Sequence, residues 1–318
     1  MKKVFLCLAG LLCLILLPCL CACGKQEEPA GDRLEIVTTI FPLYDWVREI
    51  TAGNEAVHLT LLQGNGADLH SFQPTVADIV AIHNARLFVY VGGESDEWVR
   101  DAVGEAGPAL TALDLMDCLG EARKEEERKE GMEAQEEEES AYDEHIWLSV
   151  RNAQTLCRRI CDALCAADAD NAPLYRQNTD AYIQKLQDLD ARFAEAAGRA
   201  REKTLLFASR FPFRYLTEDY GLDYFAAFPG CSAESEASFK TVVFLAGKID
   251  ELGLGTILEI DGSDGKLAET IRQNTASRDQ QILRMNSLQT AGAQEAAAGL
   301  TYLDAIEENL DVLIRALQ

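Results

Sequence analysis

The chain has 318 residues and a formal net charge of −24, from 29 Lys and Arg against 53 Asp and Glu. This length is enough for two modest domains with their own cores. The charge argues against nucleic-acid binding, because phosphate backbones require Lys and Arg. It suits an exported protein that stays soluble, or one that attracts cations.

The first 23 residues have the pattern of a secretory signal. A basic start and an apolar run over residues 4–20 precede the small Ala22 and then Cys23. This order predicts lipoprotein processing, with Cys23 as the lipidated first residue. The alternative, a single membrane-spanning helix, is disfavoured because the run is short for a bilayer. With residues 24–33 as a flexible tether, the sequence predicts an extracytoplasmic protein anchored to the cell membrane by lipid.

Residues 34–93 alternate between strand and helix patterns. "LEIVTTIFPLYDWVREITAG" predicts a buried strand and a helix from near Pro42, and "AVHLTLLQGN" predicts a second strand. "TVADIVAIHNA" has helical apolar spacing, and "RLFVYVGG" is a third strand closed by two glycines. This βαβαβ order predicts a parallel sheet covered by helices. The first α/β lobe is expected to span residues 34–170.

Residues 121–140, "EARKEEERKEGMEAQEEEES", interrupt this order. They contain almost no large apolar residues and many glutamates, so they cannot bury enough surface to order themselves. They predict a mobile, solvated surface loop. The alternative is a loop that gathers cations weakly.

A long helical stripe follows, and the second half then repeats the first pattern. Residues 171–200 predict a helix that joins two lobes, with Pro173 in its first turn. "KTLLFAS", "LDYFAAF" and "GTILEID" predict strands of a second α/β lobe over residues 201–318, each followed by helical sequence. The fold class is therefore two α/β lobes with parallel sheets, joined by a long rigid helix. A ligand cleft is expected between the lobes, at the carboxyl ends of the strands.

The four histidines divide into two pairs. His70 and His145 lie in loops or at the starts of elements, where they can face the cleft. His58 lies inside a predicted strand and His83 inside a predicted helix, so both are expected to be surface or packed imidazoles. Neutral imidazole is a common ligand of zinc-like ions, but two histidines alone do not define a site.

The cysteines do not predict a disulfide framework. Five of the ten lie in the signal segment, which leaves Cys118, Cys157, Cys161, Cys165 and Cys231. Cys157, Cys161 and Cys165 recur every four residues and share a helix face. They could form a metal-binding row, but are better explained as small apolar residues between helix and sheet.

Several segments, in order, resemble one family over essentially the whole mature chain. They are "IVTTIFPLYDWVREITAG", "GADLHSFQPT", "RLFVYVGGESDEWV", "DEHIWLSVRNA", the long helix and "LAETI". The chain resembles the ZnuA/TroA-like solute-binding lipoproteins, which supply zinc or manganese to ABC importers. The resemblance implies that His70 and His145 bind the metal and that Asp68 matches a carboxylate near it.

The sequence departs from that family at the other two ligand positions. The resemblance implies a third ligand where "FASRFPFRYL" has Arg210, and a fourth near "RMNSLQ", which offers Asn286. A guanidinium cannot bind a cation and would repel it unless a carboxylate neutralises it. The carboxylates that could do this, or complete the coordination, are Asp68, Glu94, Glu234, Glu236, Glu259 and Asp261. Cys231 is a further candidate ligand, although a packed thiol is the simpler interpretation.

These patterns predict a zinc-binding, or alternatively manganese-binding, lipoprotein that delivers its ion to an ABC-transporter permease. His, carboxylate or thiolate ligands would suit zinc, and an oxygen-richer set would suit manganese. We expect a monomer that is not an enzyme, because the sequence contains no convincing nucleophile–base pair. Two alternatives remain open at this point. One is an adhesin or accessory surface protein that no longer binds metal, and the other is a binder of an anion or metal chelate through Arg210.

Overall fold

A computed structural model describes residues 33–64, 66–133, 142–232 and 236–318. The predicted signal, Cys23 and the tether up to residue 32 lie outside the described residues, as do Glu234 and residues 134–140 of the acidic segment. In the described part of the chain, no helix has both the length and the apolar character needed to cross a membrane.

The first lobe is built on a four-stranded parallel sheet with the order β2-β1-β3-β4. Three of its strands coincide with the predicted ones. The fourth, β4, is not among the predicted elements, because this edge strand, TALD, has only two apolar residues, whereas the equally short β3, LFVY, is wholly apolar. The strands are β1 (Leu34–Thr38), β2 (Val57–Leu61), β3 (Leu87–Tyr90) and β4 (Thr111–Asp114).

Helices cover this sheet, and local sequence fixes where they begin. Pro42 occupies the first turn of the first helix, and Thr75 and Asp78 form a reciprocal capping box at the start of the second. The helices are α1 (Phe41–Thr51), α2 (Val76–Asn84), α3 (Val99–Gly104), α4 (Leu115–Leu119) and α5 (Val150–Ala167). Single 3₁₀ turns lie at Leu69–Ser71, Glu94–Asp96, Gly120–Ala122 and Ile146–Leu148.

The second lobe repeats the arrangement of the first. Its four parallel strands have the order β6-β5-β7-β8, so the first strand of each lobe lies between the second and the third. The strands are β5 (Thr204–Phe211), β6 (Asp223–Pro229), β7 (Thr256–Ile260) and β8 (Gln281–Met285). Between the two lobes runs α6 (Ala172–Arg199), and the second lobe adds α7 (Arg214–Asp219), α8 (Phe239–Leu252), α9 (Lys266–Gln273), α10 (Ala293–Ala297) and α11 (Tyr302–Ala316).

The long helix α6 and the last helix α11 fasten the lobes together. One face of the 28-residue α6 is buried along its length and packs on α1, α5 and α11. Tyr302, at the start of α11, meets Trp46 of the first lobe edge-on, with ring centroids 5.1 Å apart. Its backbone N–H donates to Asp45 over 2.8 Å, and its hydroxyl donates to the carbonyl of Trp147 over 2.7 Å. The second lobe therefore returns to bury surface against the first.

The acidic segment differs from its prediction as a mobile, solvated loop. Its described part, residues 121–133, lies across the second lobe as a strap. Glu133 donates its backbone N–H to the carbonyl of Ala227 on β6 over 2.9 Å, and Glu127 pairs with Arg214 over 2.7 Å. Lys129 pairs with Asp223 and lies over the ring of Tyr224.

Close packing at Gly131 also holds the strap in place. Gly131 has φ +91°, and an added Cβ would overlap the ring of Phe244, so only glycine fits there. The sequence did not indicate these contacts, because low hydrophobicity measures only what a segment can bury by itself. Here the second lobe supplies the opposite charges and the β6 backbone partner.

The three cysteines of α5 agree with the packing interpretation. Cys157, Cys161 and Cys165 are buried in the main hydrophobic core. None of the five cysteines in the described residues forms a disulfide.

Candidate metal centre

His70 lies where the chain leaves β2 at the carboxyl edge of the first sheet. The 3₁₀ turn at Leu69–Ser71 begins at Asp68, whose carboxylate accepts the backbone N–H of His70 over 3.0 Å. On the ring, Nδ1 lies 3.0 Å from the hydroxyl of Ser95 and 3.1 Å from Glu144 Oε1. The imidazole is thus held from two sides, and its Nε2 atom points away from both.

His145 is fixed in the same manner. Asp143 Oδ1 accepts the backbone N–H of His145 over 2.8 Å and lies 2.9 Å from its ring Nδ1. The side chain is fully buried. Gly230 of the second lobe packs against it, since a Cβ there would lie 3.1 Å from the ring and 2.9 Å from the carbonyl of Phe211. Glycine at position 230 therefore permits the close approach of the two lobes.

The two imidazoles face each other through their free nitrogens. His70 Nε2 and His145 Nε2 are 3.2 Å apart. Each Nδ1 faces a carboxylate, which favours the tautomer with hydrogen on Nδ1 and a lone pair on Nε2. Two lone pairs at this distance repel each other unless a proton or a cation lies between them. Tetrahedral zinc with Zn–N of 2.0–2.1 Å would separate two nitrogen ligands by roughly 3.3 Å.

Cys231, after β6, brings a third donor to this pair. One ligand atom from each of His70, His145 and Cys231 lies within 4.8 Å of the other two. The Cys231 backbone N–H donates to Glu126 of the strap over 2.9 Å, and the Cys231 sulfur lies 3.7 Å from Glu144 Oε1. Burial raises the pKa of this thiol well above its usual value, and the carboxylates of Glu144, Asp143 and Glu126 raise it further.

Arg210, at the end of β5, is neutralised by a carboxylate that the sequence had suggested. Its guanidinium donates to Asp68 Oδ2 over 2.5 Å and to Gln289 Oε1 over 3.3 Å. Burial opposes ionisation of Asp68, but the hydrogen bond and charge of Arg210 outweigh it and hold the Asp68 pKa below its usual value. Since Asp68 Oδ1 already accepts from His70, both of its oxygens have protein partners.

Asp261 and Asn286 are held away from the imidazole pair. Asp261 accepts the backbone N–H of Ser287 over 2.5 Å and the hydroxyl of Thr290 over 3.0 Å. Asn286 uses its side-chain oxygen to accept the N–H of Leu288. Of the predicted ligands, the structure therefore brings together His70, His145 and Cys231. Asp68 and Asp261 lie outside that group.

The remaining histidines lie elsewhere. His58 pairs with Glu35 on the exposed side of the first sheet, over 2.5 Å. His83 contacts the carbonyl of Ala102 over 2.9 Å. Both positions agree with the expectation of surface or packed imidazoles.

A cleft of about 830 Å³ opens beside His70, between loops of the two lobes. Its walls are rich in carboxylates, which give a negative approach to the site for a cation. The charged lining residues are Asp68, Arg210, Glu236, Glu259, Asp261, Asp264 and Lys266.

Sequence reasoning missed the groups that orient the imidazoles. Asp143 and Glu144 stand directly before His145 in "DEHIWL", and this acidic pair was the available signal. Burial disfavours the ionised form of Glu144, yet its hydrogen bonds to His70 and Ser95 bring its pKa below the usual value. Ser95 and Gln289 carried no signal, because their roles depend on segments distant in the chain.

Comparison with known sequences gives one family over most of the chain. The family model for ZnuA, described as "Zinc-uptake complex component A periplasmic", matches residues 36–316. The zinc-binding lipoprotein AdcA of Streptococcus pneumoniae R6 is 30% identical over 315 residues, which cover 98% of this chain and 60% of that protein. This chain thus spans 60% of the length of that relative. The high-affinity zinc uptake system protein ZnuA of Bacillus subtilis is 29% identical over 304 residues, 92% of each chain.

Solved structures agree with the fold. The Zn(II)-bound ZnuA-like domain of S. pneumoniae AdcA superposes with a TM-score of 0.72 at 26% identity, covering 90% of this chain and 99% of that one. The metal-dependent lipoprotein YcdH of B. subtilis gives 0.73 at 27%, covering 90% and 100%. A mutant of the laminin-binding adhesin Lmb of Streptococcus agalactiae gives 0.73 at 23%, covering 90% and 100%, a likeness that shows the fold alone.

Proposed function

This chain belongs to the ZnuA family of zinc-uptake components, and on that premise we propose that it captures zinc outside the cytoplasm and delivers it to an ABC-transporter permease. Manganese is the alternative cargo. The family consists of transport components, and we propose no catalytic activity for this chain.

The arrangement of the two imidazoles supports this proposal best. His70 Nε2 and His145 Nε2 lie 3.2 Å apart, each on a ring whose Nδ1 faces a carboxylate. Such carboxylate–imidazole pairs orient a metal-binding nitrogen and raise its basicity. The relatives with the same fold are named for zinc binding or zinc uptake.

Arg210 does not favour the alternative of an anion or chelate binder. Its guanidinium already contacts Asp68, Gln289 and the carbonyl of Ser232. An incoming anion would have to displace these partners. The same pairing removes the main objection to a cation site, since Asp68 offsets the positive charge of Arg210.

We further propose that the protein acts as a monomer anchored by lipid on Cys23. The signal-like start of the chain supports the anchor. Replacing Cys23 by Ala should release the protein from membranes or block its maturation. Unchanged membrane retention of a correctly processed protein would contradict the anchor.

Zinc capture is tested by metal analysis and titration calorimetry on the purified lipid-free protein. We expect near-stoichiometric zinc after dialysis. His70→Ala and His145→Ala should each weaken zinc binding by more than about 100-fold, because loss of a ligand exceeds the effect of losing a supporting group. His58→Ala and His83→Ala are matched controls and should bind like the parent. A His70→Ala protein that binds zinc like the parent would place the site elsewhere.

A further inference from the structure

We propose that the Cys231 thiolate is the second lobe's ligand to the captured ion, and that it makes the site selective for thiophilic ions such as zinc over manganese. This inference rests on the proposed function, because it names the donor and the ion class of the same site.

Cys231 lies close to the two imidazoles. The group of His70, His145 and Cys231 lies within 4.8 Å, whereas zinc bound at about 2.0–2.1 Å to nitrogen and 2.3 Å to sulfur needs N···S distances of roughly 3.6 Å. A small movement of the side chains therefore brings the sulfur and the imidazole nitrogens to these distances. The turn that carries it is held by the hydrogen bond from the Cys231 backbone N–H to Glu126.

Several carboxylate oxygens near the imidazoles already accept hydrogen bonds from other protein groups. Arg210 and the His70 backbone occupy the two oxygens of Asp68. Glu144 accepts from the Ser95 hydroxyl over 2.6 Å and the Ser95 backbone over 3.2 Å, and it also faces His70. Asp143 Oδ1 serves His145.

These charge-assisted hydrogen bonds fix the carboxylates, so turning one of them toward the ion would weaken bonds that already orient the imidazoles. The Cys231 sulfur is held less firmly, because it contacts Glu144 Oε1 over 3.7 Å and the Glu144 backbone, and hydrogen bonds to sulfur are weak. Sulfur is therefore the donor that gives up least on turning to the ion.

The ligand set also determines which ions the site prefers. Two imidazoles and a thiolate form a nitrogen–sulfur set that suits zinc and other soft or borderline ions, whereas manganese prefers carboxylate, carbonyl and water oxygens. The Cys231 thiol must lose its proton when the ion binds, and that proton passes to solvent in the cleft as the S–metal bond replaces the S–H bond. The resulting thiolate supplies the negative charge that two neutral imidazoles lack. Three protein ligands leave a fourth tetrahedral position for water from the cleft.

The competing interpretation is that Cys231 is a packed thiol that donates weakly to Glu144. Both interpretations explain its burial, but only a ligand gives a thiolate–metal bond. Such a bond produces a charge-transfer absorption when the ion is Co²⁺ or Cd²⁺, and this signal requires no mutation to detect.

The test is a titration of the purified protein with Co²⁺ and Cd²⁺, followed by zinc and manganese calorimetry. We expect the charge-transfer band to saturate at one ion per chain. It should disappear in Cys231→Ser and persist in Cys118→Ser, the matched control at a partly exposed cysteine outside the site. Cys231→Ser should lose at least about tenfold in zinc affinity and in preference for zinc over manganese.

Failure of the thiolate ligand can be distinguished from failure of zinc capture. Zinc binding that depends on His70 but gives no thiolate band, or equal selectivity in Cys231→Ser, overturns the thiolate ligand and leaves zinc capture standing. A parent protein that binds neither zinc nor Co²⁺ overturns both. Circular dichroism of each variant separates lost ligation from lost folding.

Discussion

The two lobes contribute to the metal centre in different ways. The first lobe supplies two imidazoles, each with a carboxylate on its Nδ1 atom. The second lobe supplies Cys231, with no oriented carboxylate–imidazole pair, together with an arginine that is neutralised by Asp68 of the first lobe. On the proposed site, we expect the first lobe to determine whether a metal binds and the second lobe to adjust charge and selectivity.

Among the further changes that compare the two lobes, the largest fall in zinc affinity is expected on replacing the carboxylates that orient the first lobe's imidazoles. Asp143→Ala and Glu144→Ala should each lower zinc affinity by about 10–100-fold, because the imidazoles lose their orienting partners. Glu144→Gln should recover part of this loss, since its amide oxygen can still accept from Nδ1–H. Calorimetry measures the effect, and Asp117→Ala, at an exposed carboxylate, is the control. Unchanged affinity in folded variants would mean that packing alone orients the rings.

The Asp68–Arg210 pair tests the role of the second lobe. Asp68→Asn leaves the arginine unpaired and should weaken zinc binding roughly fivefold, a size expected for one charge near the ion in a solvated cleft. Arg210→Met leaves the carboxylate unpaired and should strengthen binding by a similar factor.

The double variant separates charge from ligation at this pair. Asp68→Asn with Arg210→Met should bind zinc nearly like the parent, because the pair is then replaced by two neutral groups. If the double variant stays as weak as Asp68→Asn alone, Asp68 is a ligand and the charge account is wrong.

The pH dependence of the unfolding free energy should show how much burial of the Asp96 carboxyl destabilises the first lobe. Asp96 accepts the backbone N–H groups of Val91 and Gly92. Burial raises its pKa from 3.8 to about 7, and the nearby Glu144 charge adds to the rise. A folded-state pKa above the unfolded one gives stability at low pH that is lost as pH rises through about 7.

Asp96→Asn removes this titration. Relative to that variant, the parent should therefore lose up to a few kcal/mol of unfolding free energy between about pH 4 and 7, and little more above that range. Urea denaturation at several pH values measures the difference. A parent and variant with parallel profiles would show that Asp96 stays ionised in the folded protein.

The smallest expected effect is on overall shape. The helix α6, the contact of Trp46 with Tyr302 and the strap at residues 121–133 all connect the lobes. Zinc binding should therefore change the radius of gyration very little, as measured by small-angle scattering with and without zinc. A large compaction would contradict the stiff connection and would mean that the second lobe closes on the ion.

Much of the fold was predictable, because periodicity is a local property. The alternation of strand and helix predicted the two α/β lobes and the long helix, which the structure places at Ala172–Arg199. The family resemblance, drawn from several segments in order along the mature chain, is confirmed by the match over residues 36–316. The edge strands β4 and β8 were not predicted, because each is only partly apolar and only partly buried.

Only the tertiary structure determined which residues contact each other at the site. Arg210 meets Asp68 across 142 positions of sequence. Glu144 reaches His70, and Cys231 reaches both imidazoles, only because the carboxyl ends of two separate sheets face each other. The described part of the acidic segment, residues 121–133, is held by Arg214, Asp223 and the β6 backbone of the second lobe. Local sequence sets which groups an element presents, whereas charge neutralisation and metal coordination depend on distances between atoms that only the folded chain brings together.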